Sequence, residues 1–347
     1  MTERTDLLGS IAQTIGTYRQ HERKPPISPT PDHVERWIKQ FTPQNQLGLL
    51  REFDHALRGS FITKETMIGF LTAQLHNAAL VGPDPSAYWK GANFLKIQID
   101  GQSQKEMLEL FDECLKSSFG FSTGNCGSPE GDFIYLDDVI FSGGRVGTDL
   151  QAWIANKAPA KARVIVLVMV THSLGEYQLK GNIDKAIQAS GKKINVQYMR
   201  AMELENRLRY RDESDVLWPC SLPNDQRVLD YVSAEKKFPF KPRTPTKEAH
   251  GPFSSLDGRK LVEHELLMAG VHIRSKGNVS AVNRPLGHGF FGVGFGSMLT
   301  TYRNCPNNCP LAMWWGDPDE KVGALAWYPL LPRKNYSSAE NVFSKFL

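Results

Sequence analysis

The chain has 347 residues, 41% hydrophobic and 22% charged, with a formal net charge of +4. This composition excludes a disordered chain and supports a buried core of one large or two ordinary domains. No run of about 18 apolar residues occurs, and the polar start MTERTDLLGS lacks a secretory pattern, so the expectation is a soluble, cytoplasmic protein without membrane contact. The five cysteines are too thinly spread for a disulfide framework and suit a reducing compartment.

Up to about Leu80 the pattern is helical after a Pro-rich lead over residues 24–31. Val34, Trp37, Ile38 and Phe41 recur at helical spacing, as do Leu50, Phe53 and Leu57, then Ile68, Leu71 and Leu75. None of these three helices carries the Arg, Asn and Gln cluster that reads base edges, so a packing cap is expected rather than a DNA reader.

From residue 93 strand and helix alternate. An apolar strand over 94–99 precedes the loop Asp100-Gly101-Gln102-Ser103 and an amphipathic helix over 104–116. A polar, Gly-rich link over 119–132 leads to a strand over 133–136, a glycine loop, and a helix with the apolar face Val146, Leu150, Trp153 and Ile154. The continuous apolar run over 162–170 reads as a central strand buried on both faces of a parallel sheet, followed by a helix to Ala189 and a strand over 194–199. The expected division is a helical N-terminal cap (1–90), an α/β core (91–206) and a C-terminal extension packed on that core (207–347).

Beyond residue 206 the pattern weakens. The stretch KKFPFKPR over 236–243 alternates cations with aromatics and prolines and has two readings: a track for a nucleic-acid backbone, or a solvated Pro-rich linker, which is the expectation. The run GHGFFGVGFG over 287–296 lacks a Walker lysine and a following helix, so close backbone packing is expected, with His288 unassigned. Cys305 and Cys309 have no second pair or nearby His to complete a zinc site. The turn bearing Asn304, Asn307 and Asn308 reads as a polar turn docked by tryptophans.

The strongest chemical signal is residues 133–145, FIYLDDVIFSGGR. Ligands bind at the carboxyl ends of parallel strands, where the acids Asp137 and Asp138 emerge. Adjacent carboxylates accept hydrogen bonds from vicinal ribose hydroxyls, directly or through hydrated Mg²⁺. Phe141, Ser142, Gly143, Gly144 and Arg145 form a loop whose amides, hydroxyl and guanidinium suit a phosphate at a helix start. Asp100, Gly101, Gln102 and Ser103 form a weaker candidate loop for a pyrophosphate. His172 and Ser173 end the next strand, where a ligand contact and a hydrogen-bonded structural histidine are both open readings.

This stretch resembles the phosphoribosyl-pyrophosphate signature of type I phosphoribosyltransferases, and the resemblance covers residues 93–206. It implies an α/β fold of that type, a parallel sheet with helices on both faces, with Asp137 and Asp138 on the ribose and residues 141–145 around the 5′-phosphate. Two departures bear on chemistry. Purine-using members carry an Asp where Phe141 stands, and the flexible hairpin lid of the family is replaced by the short link over 119–132, which leaves the reacting centre open to water. The helices around Trp37 and Phe41, the DDVIFSGG core and Trp314-Trp315 together resemble the phosphoribosyltransferase-like effector of bacterial conflict systems. That resemblance implies a toxic arm in antiphage defence, acting on phosphoribosyl pyrophosphate or a nucleotide, beside a sensor such as a retron reverse transcriptase with its nucleic acid. Two functions therefore stand: Mg²⁺-assisted cleavage or transfer at the anomeric carbon of a ribose 5-phosphate compound, or a non-catalytic sensor of a nucleotide or sugar phosphate that controls a partner.

Overall fold

The computed structural model describes residues 2–333 apart from 100, 247, 248, 290 and 291. In chain order the first elements are α1 (Glu3–Thr14), α2 (Pro31–Ile38), α3 (Gln46–Ser60), β1 (Phe61–Ile62), α4 (Lys64–Leu75), α5 (Ala78–Val81) and α6 (Pro85–Gly91). The alternating region holds β2 (Asn93–Phe94), α7 (Ser103–Phe119), β3 (Phe133–Ile140), α8 (Gly144–Asn156), β4 (Lys161–His172), α9 (Ser173–Ser190), β5 (Lys193–Met199) and β6 (Met202–Leu204). After it come α10 (Gln226–Ala234), α11 (Leu256–Ser275), β7 (Asn283–Arg284), β8 (Gly287–His288), β9 (Thr300–Thr301) and α12 (Leu311–Trp314). None of the described helices is long and apolar enough to cross a membrane.

The chain forms two compact units, Glu65–Glu205 and the pair of segments Met1–Lys64 with Asn206–Leu347. The expected limits differ from these: α4 to α6 group with the sheet, and the N-terminal helices group with the residues after 205.

The Glu65–Glu205 unit is an α/β sheet in the order β2-β3-β4-β5, with every pairing parallel and β6 added to β4 beyond the end of β5. Tyr135, Val164, Val166 and Val168 share a core with Leu150 and Trp153 of α8 and Leu179 and Ile183 of α9. On the opposite face Phe94 packs against Trp89 of α6 and Phe111 of α7, at 6.2 and 5.4 Å between ring centroids. Helices on both faces explain why β4 is unbrokenly apolar over 164–170, where neither of its sides meets water.

Two strands differ from the sequence expectation. β3 runs past the acid pair to Ile140, because its register with β4 continues through Val139↔Val170 and Ile140↔Thr171. β2 is two residues long where six were expected. After Leu95 N donates to Ile134 O at 2.9 Å, a side chain takes over from the ladder: Gln104 Oε1 accepts from Ile97 N and Gln98 N at 2.8 and 2.9 Å.

The other unit is built on tryptophans. Trp37 packs on Phe41 and Phe53, and Phe41 packs in turn on Trp327. The indole N–H groups of Trp37 and Trp327 both donate to Ala312 O at 2.9 Å. Tyr18 O–H donates to Pro332 O at 2.8 Å, and β1 pairs with β9 in parallel. The docked polar turn is observed as read: Trp314 Nε1 donates to Cys309 O at 2.7 Å and Asn308 Nδ2 to His288 O at 2.9 Å.

The stretch over 236–243 is solvated as expected at Lys236, Lys237, Pro239, Lys241 and Pro242, but it is anchored at its end rather than loose. Arg243 is 2% exposed and reaches Glu263 Oε2 at 3.3 Å, while Arg259 Nε meets Glu263 Oε1 at 2.8 Å. Arg243 also donates to Trp218 O, and Trp218 N donates to Glu263 Oε1. Three buried charges thus tie residues 214–218 and 243 to α11, since a guanidinium taken out of water must find its acid and its carbonyls.

Candidate functional site

The acid pair sits on β3 with one carboxylate inward. Asp137 is 4% exposed, on the face of the strand that carries Tyr135, and Asp138 is half-buried on the next position of the pleat. Each lends its Oδ1 to the following amide, Asp138 N at 2.9 Å and Val139 N at 2.8 Å. Asp149 of α8 is buried beside them and accepts from Tyr135 O–H at 2.9 Å and from Ile99 N at 3.1 Å. Burial, and then the charges of Asp137 and Asp149, push the Tyr135 phenol far above its ordinary value, so it stays a hydrogen-bond donor.

The cradle loop follows after Ile140. Gly143 has φ +73° and, having no side chain, gives α8 no side-chain cap; Gly144 N lies 3.4 Å from Ser142 Oγ. The loop is set by contact with α9: a Cβ on Gly143 would stand 2.4 Å from Gly175 O, and one on Gly175 only 1.9 Å from Phe141 O. Two glycines let these backbones meet. Ser142, Gly144 and Arg145 are exposed, whereas Phe141 is half-buried, its ring stacked on His172 at 4.9 Å.

The second loop is brought to the first. Asp100 lies outside the described residues. Gly101 has φ +96°, and its hydrogen points at Arg145, whose Nη1 would be 2.7 Å from any Cβ there. Gln102 is the N-cap of α7 and Ser103 its first residue, Ser103 Oγ accepting from Gln98 Nε2 at 3.0 Å. A cavity of about 600 Å³ beside this loop is lined by Lys96, Gln98, Gly101, Gln102, Gln104 and Thr123, among others. Neither Asp137 nor Asp138 is part of its lining. The link over 120–132 is pinned, not hairpin-like: Asp112 Oδ1 accepts from Thr123 N at 2.6 Å, and Asn93 Nδ2 donates to Ser128 O and Gly131 O.

His172 takes the structural one of its two readings. Its Nδ1 lies 3.1 Å from Ile140 O, and because a carbonyl only accepts, that nitrogen carries the proton. Complete burial lowers its pKa from 6.5 to about 4. The neutral ring is therefore the folded form. As pH falls through 6.5 the unfolded chain takes up a proton that the folded chain refuses until about 4. His172 should thus cost on the order of 3 kcal/mol of stability between pH 7 and 4. Urea unfolding of the parent and of His172→Gln should show the gap between them shift by this amount across that window; parallel stability curves would contradict it. Ser173 Oγ donates to Glu203 Oε1 at 2.9 Å, which ties the start of α9 to β6.

Among the described residues no group of three or more His, Cys, Asp and Glu forms a ready metal cage. The donor set at Asp137 and Asp138 is two carboxylates with one oxygen each committed to backbone. That set fits Mg²⁺, which keeps several waters and takes substrate oxygens alongside one or two carboxylates.

The PRTase-CE family model matches residues 34–333 of the chain, a span that includes the acid pair and the glycine loop. The chain belongs to the PRTase-CE family. No curated protein and no solved structure matches it. PRTase-CE membership makes the protein phosphoribosyltransferase-like and points to a phosphoribosyl-type substrate. Within this PRTase-CE chain, sequence reading missed Tyr135, Asp149, Gln104 and Gly175. Asp149 left a trace, an acid one position from the apolar stripe Val146, Leu150 and Trp153; the closeness of Gly175 to Phe141 left none.

Proposed function

We propose that the protein is an enzyme that cleaves or transfers at the anomeric carbon of a ribose 5-phosphate compound, and that it serves as a toxic effector in antiphage defence. The observation that supports the enzymatic part is the meeting of the two candidate loops, Arg145 of the segment that follows the acid pair lying against Gly101. Gly101 on one side and residues 141–145 on the other are linked through Arg145. In this reading the amides of residues 141–145 with Arg145 hold the 5′-phosphate as a remote handle, and its binding energy orients the sugar. Asp137 and Asp138 face the ribose hydroxyls and stabilise positive charge as the bond from C1 to the leaving group breaks and its electron pair departs with that group. Water or an acceptor then closes the carbon. Gly101, Gln102 and Ser103, with Asp100, take the leaving pyrophosphate or nucleotide side. Mg²⁺, when bound at the acids, supplies neutralisation of substrate phosphate charge. The defence role rests on the family resemblance, with a neighbouring sensor such as a reverse transcriptase and its nucleic acid as the partner.

The sensor reading is favoured by one observation: Phe141 and His172 beside the loop transfer no proton, one having no titratable group and the other held neutral against Ile140. The test is direct. Purified protein with Mg²⁺ is incubated with phosphoribosyl pyrophosphate and, separately, with a nucleotide panel, and free pyrophosphate, base and ribose 5-phosphate are quantified. Product growing with enzyme and time is expected; binding of these ligands without product assigns the sensor.

A further inference from the structure

The stretch over 236–243 is unused by the site above, and its surroundings form a built pocket. A cavity of about 220 Å³ is lined by Leu217, Trp218, Phe238, Phe240 and Val293, with Lys237 and Lys241 also in its wall. Its frame is rigid. Glu235 Oε1 accepts from Lys237 N and Phe238 N at 3.0 and 2.9 Å, and Glu235 Oε2 pairs with Arg284 at 2.9 Å. Arg284 in turn holds Gly289 O and Gly292 O, which links these two glycines through Glu235 to the start of the aromatic segment. The opposite wall is fixed by the buried charges at Glu263, through Trp218 N.

A second aromatic platform lies next to it. Leu208 of the cavity wall begins the turn Leu208–Glu213, and Arg211 Nε donates to Pro242 O at 2.9 Å, which holds that turn against the basic segment. On the turn Tyr210 is 38% exposed, with the guanidinium of Arg207 4.5 Å and that of Arg209 5.6 Å from its ring centroid. The stretch over 236–243 is basic, while the turn carries acids as well as arginines. Lys236, Lys237 and Lys241 are exposed and make no ion pair among the described residues, while Asp212 is committed to Thr244 N. Glu213 is the exposed acid on the turn.

We propose that this face binds a single-stranded nucleic acid, one base seated in the pocket of Trp218, Phe238 and Phe240, a second on Tyr210, with phosphates on Lys237, Lys241 and Arg209. Two ring platforms interleaved with cations match the base–phosphate repeat of a strand. An acidic peptide would need the cations and at most one ring slot. A duplex keeps its bases stacked inside and cannot fill the pocket. This inference stands apart from the phosphoribosyl site.

Fluorescence anisotropy with a labelled single-stranded 12-mer and the full chain tests it. Binding that weakens steeply as salt rises is expected. Lys237→Glu with Lys241→Glu should weaken it about tenfold or more, and Phe240→Ala about five- to a hundredfold, the range for loss of one stacked base. Circular dichroism of each variant should match the parent. Absence of binding at low salt, indifference to both variants, or equal binding of the duplex overturns the proposal. Competition by a mononucleotide at equal concentration, or preferential binding of an acidic aromatic peptide, also overturns it and reassigns the pocket.

Discussion

Replacing Asp137 and Asp138 together by asparagine should reduce turnover of the ribose 5-phosphate substrate about a hundredfold or more, while the protein stays folded. Asparagine keeps an Oδ1 acceptor for Asp138 N and Val139 N, the hydrogen bonds that both carboxylates make along β3. What it removes is negative charge beside a developing cation, and the loss of one well-placed electrostatic contact typically costs about 3 kcal/mol of transition-state stabilisation. The effect belongs in kcat, since residues 141–145, the proposed phosphate handle, are untouched. In cells, toxicity should disappear at unchanged soluble expression. A double variant as toxic as the parent, with nucleotide pools undisturbed by either, would rule out the enzymatic reading.

Glu263→Ala should destabilise its unit by about 3–5 kcal/mol, the cost of breaking a buried ion pair by removing one partner. Arg243 and Arg259 both meet this carboxylate, at side-chain exposures of 1% and 0%, so the variant strands two guanidinium groups in the interior. The melting temperature should fall by on the order of 10 °C. Glu263→Gln, which keeps an acceptor for Arg259 and for Trp218 N, should lose less. Equal melting temperatures for the alanine variant and the parent would mean that solvent reaches these arginines. The same variant should blunt single-strand binding, because Trp218 is held in place through Glu263.

The parallel core was legible because its periodicities are local. The stretch of β4 over 164–170, buried on both sides, is apolar throughout, and an α7 or α8 with one buried face repeats at helical spacing. The end of β3 was not legible. Asp137 and Asp138 look like the stop of a strand, yet Val139 and Ile140 continue it because Val170 and Thr171 of β4 are there to pair with. The reverse holds for β2, where residues 95–99 alternate like a strand but Gln104 captures the amides of Ile97 and Gln98.

By itself the sequence determined the order of strands and helices from 93 to 199, and the acid pair and glycine loop at a strand end, since each depends on neighbours within a few residues. It also carried the likeness that the PRTase-CE match supports. Tertiary structure decided the rest. Only folding sets Gly175 against Phe141, Arg145 over Gly101, and Asp149 under Tyr135, because these are meetings of backbones and side chains from different elements. Only folding turns residues 236–243 from an apparent linker into the wall of a pocket. The reason is the same each time: a buried charge or a crowded backbone takes its partner from whatever the fold brings near, and nothing in local spacing records which partner that is.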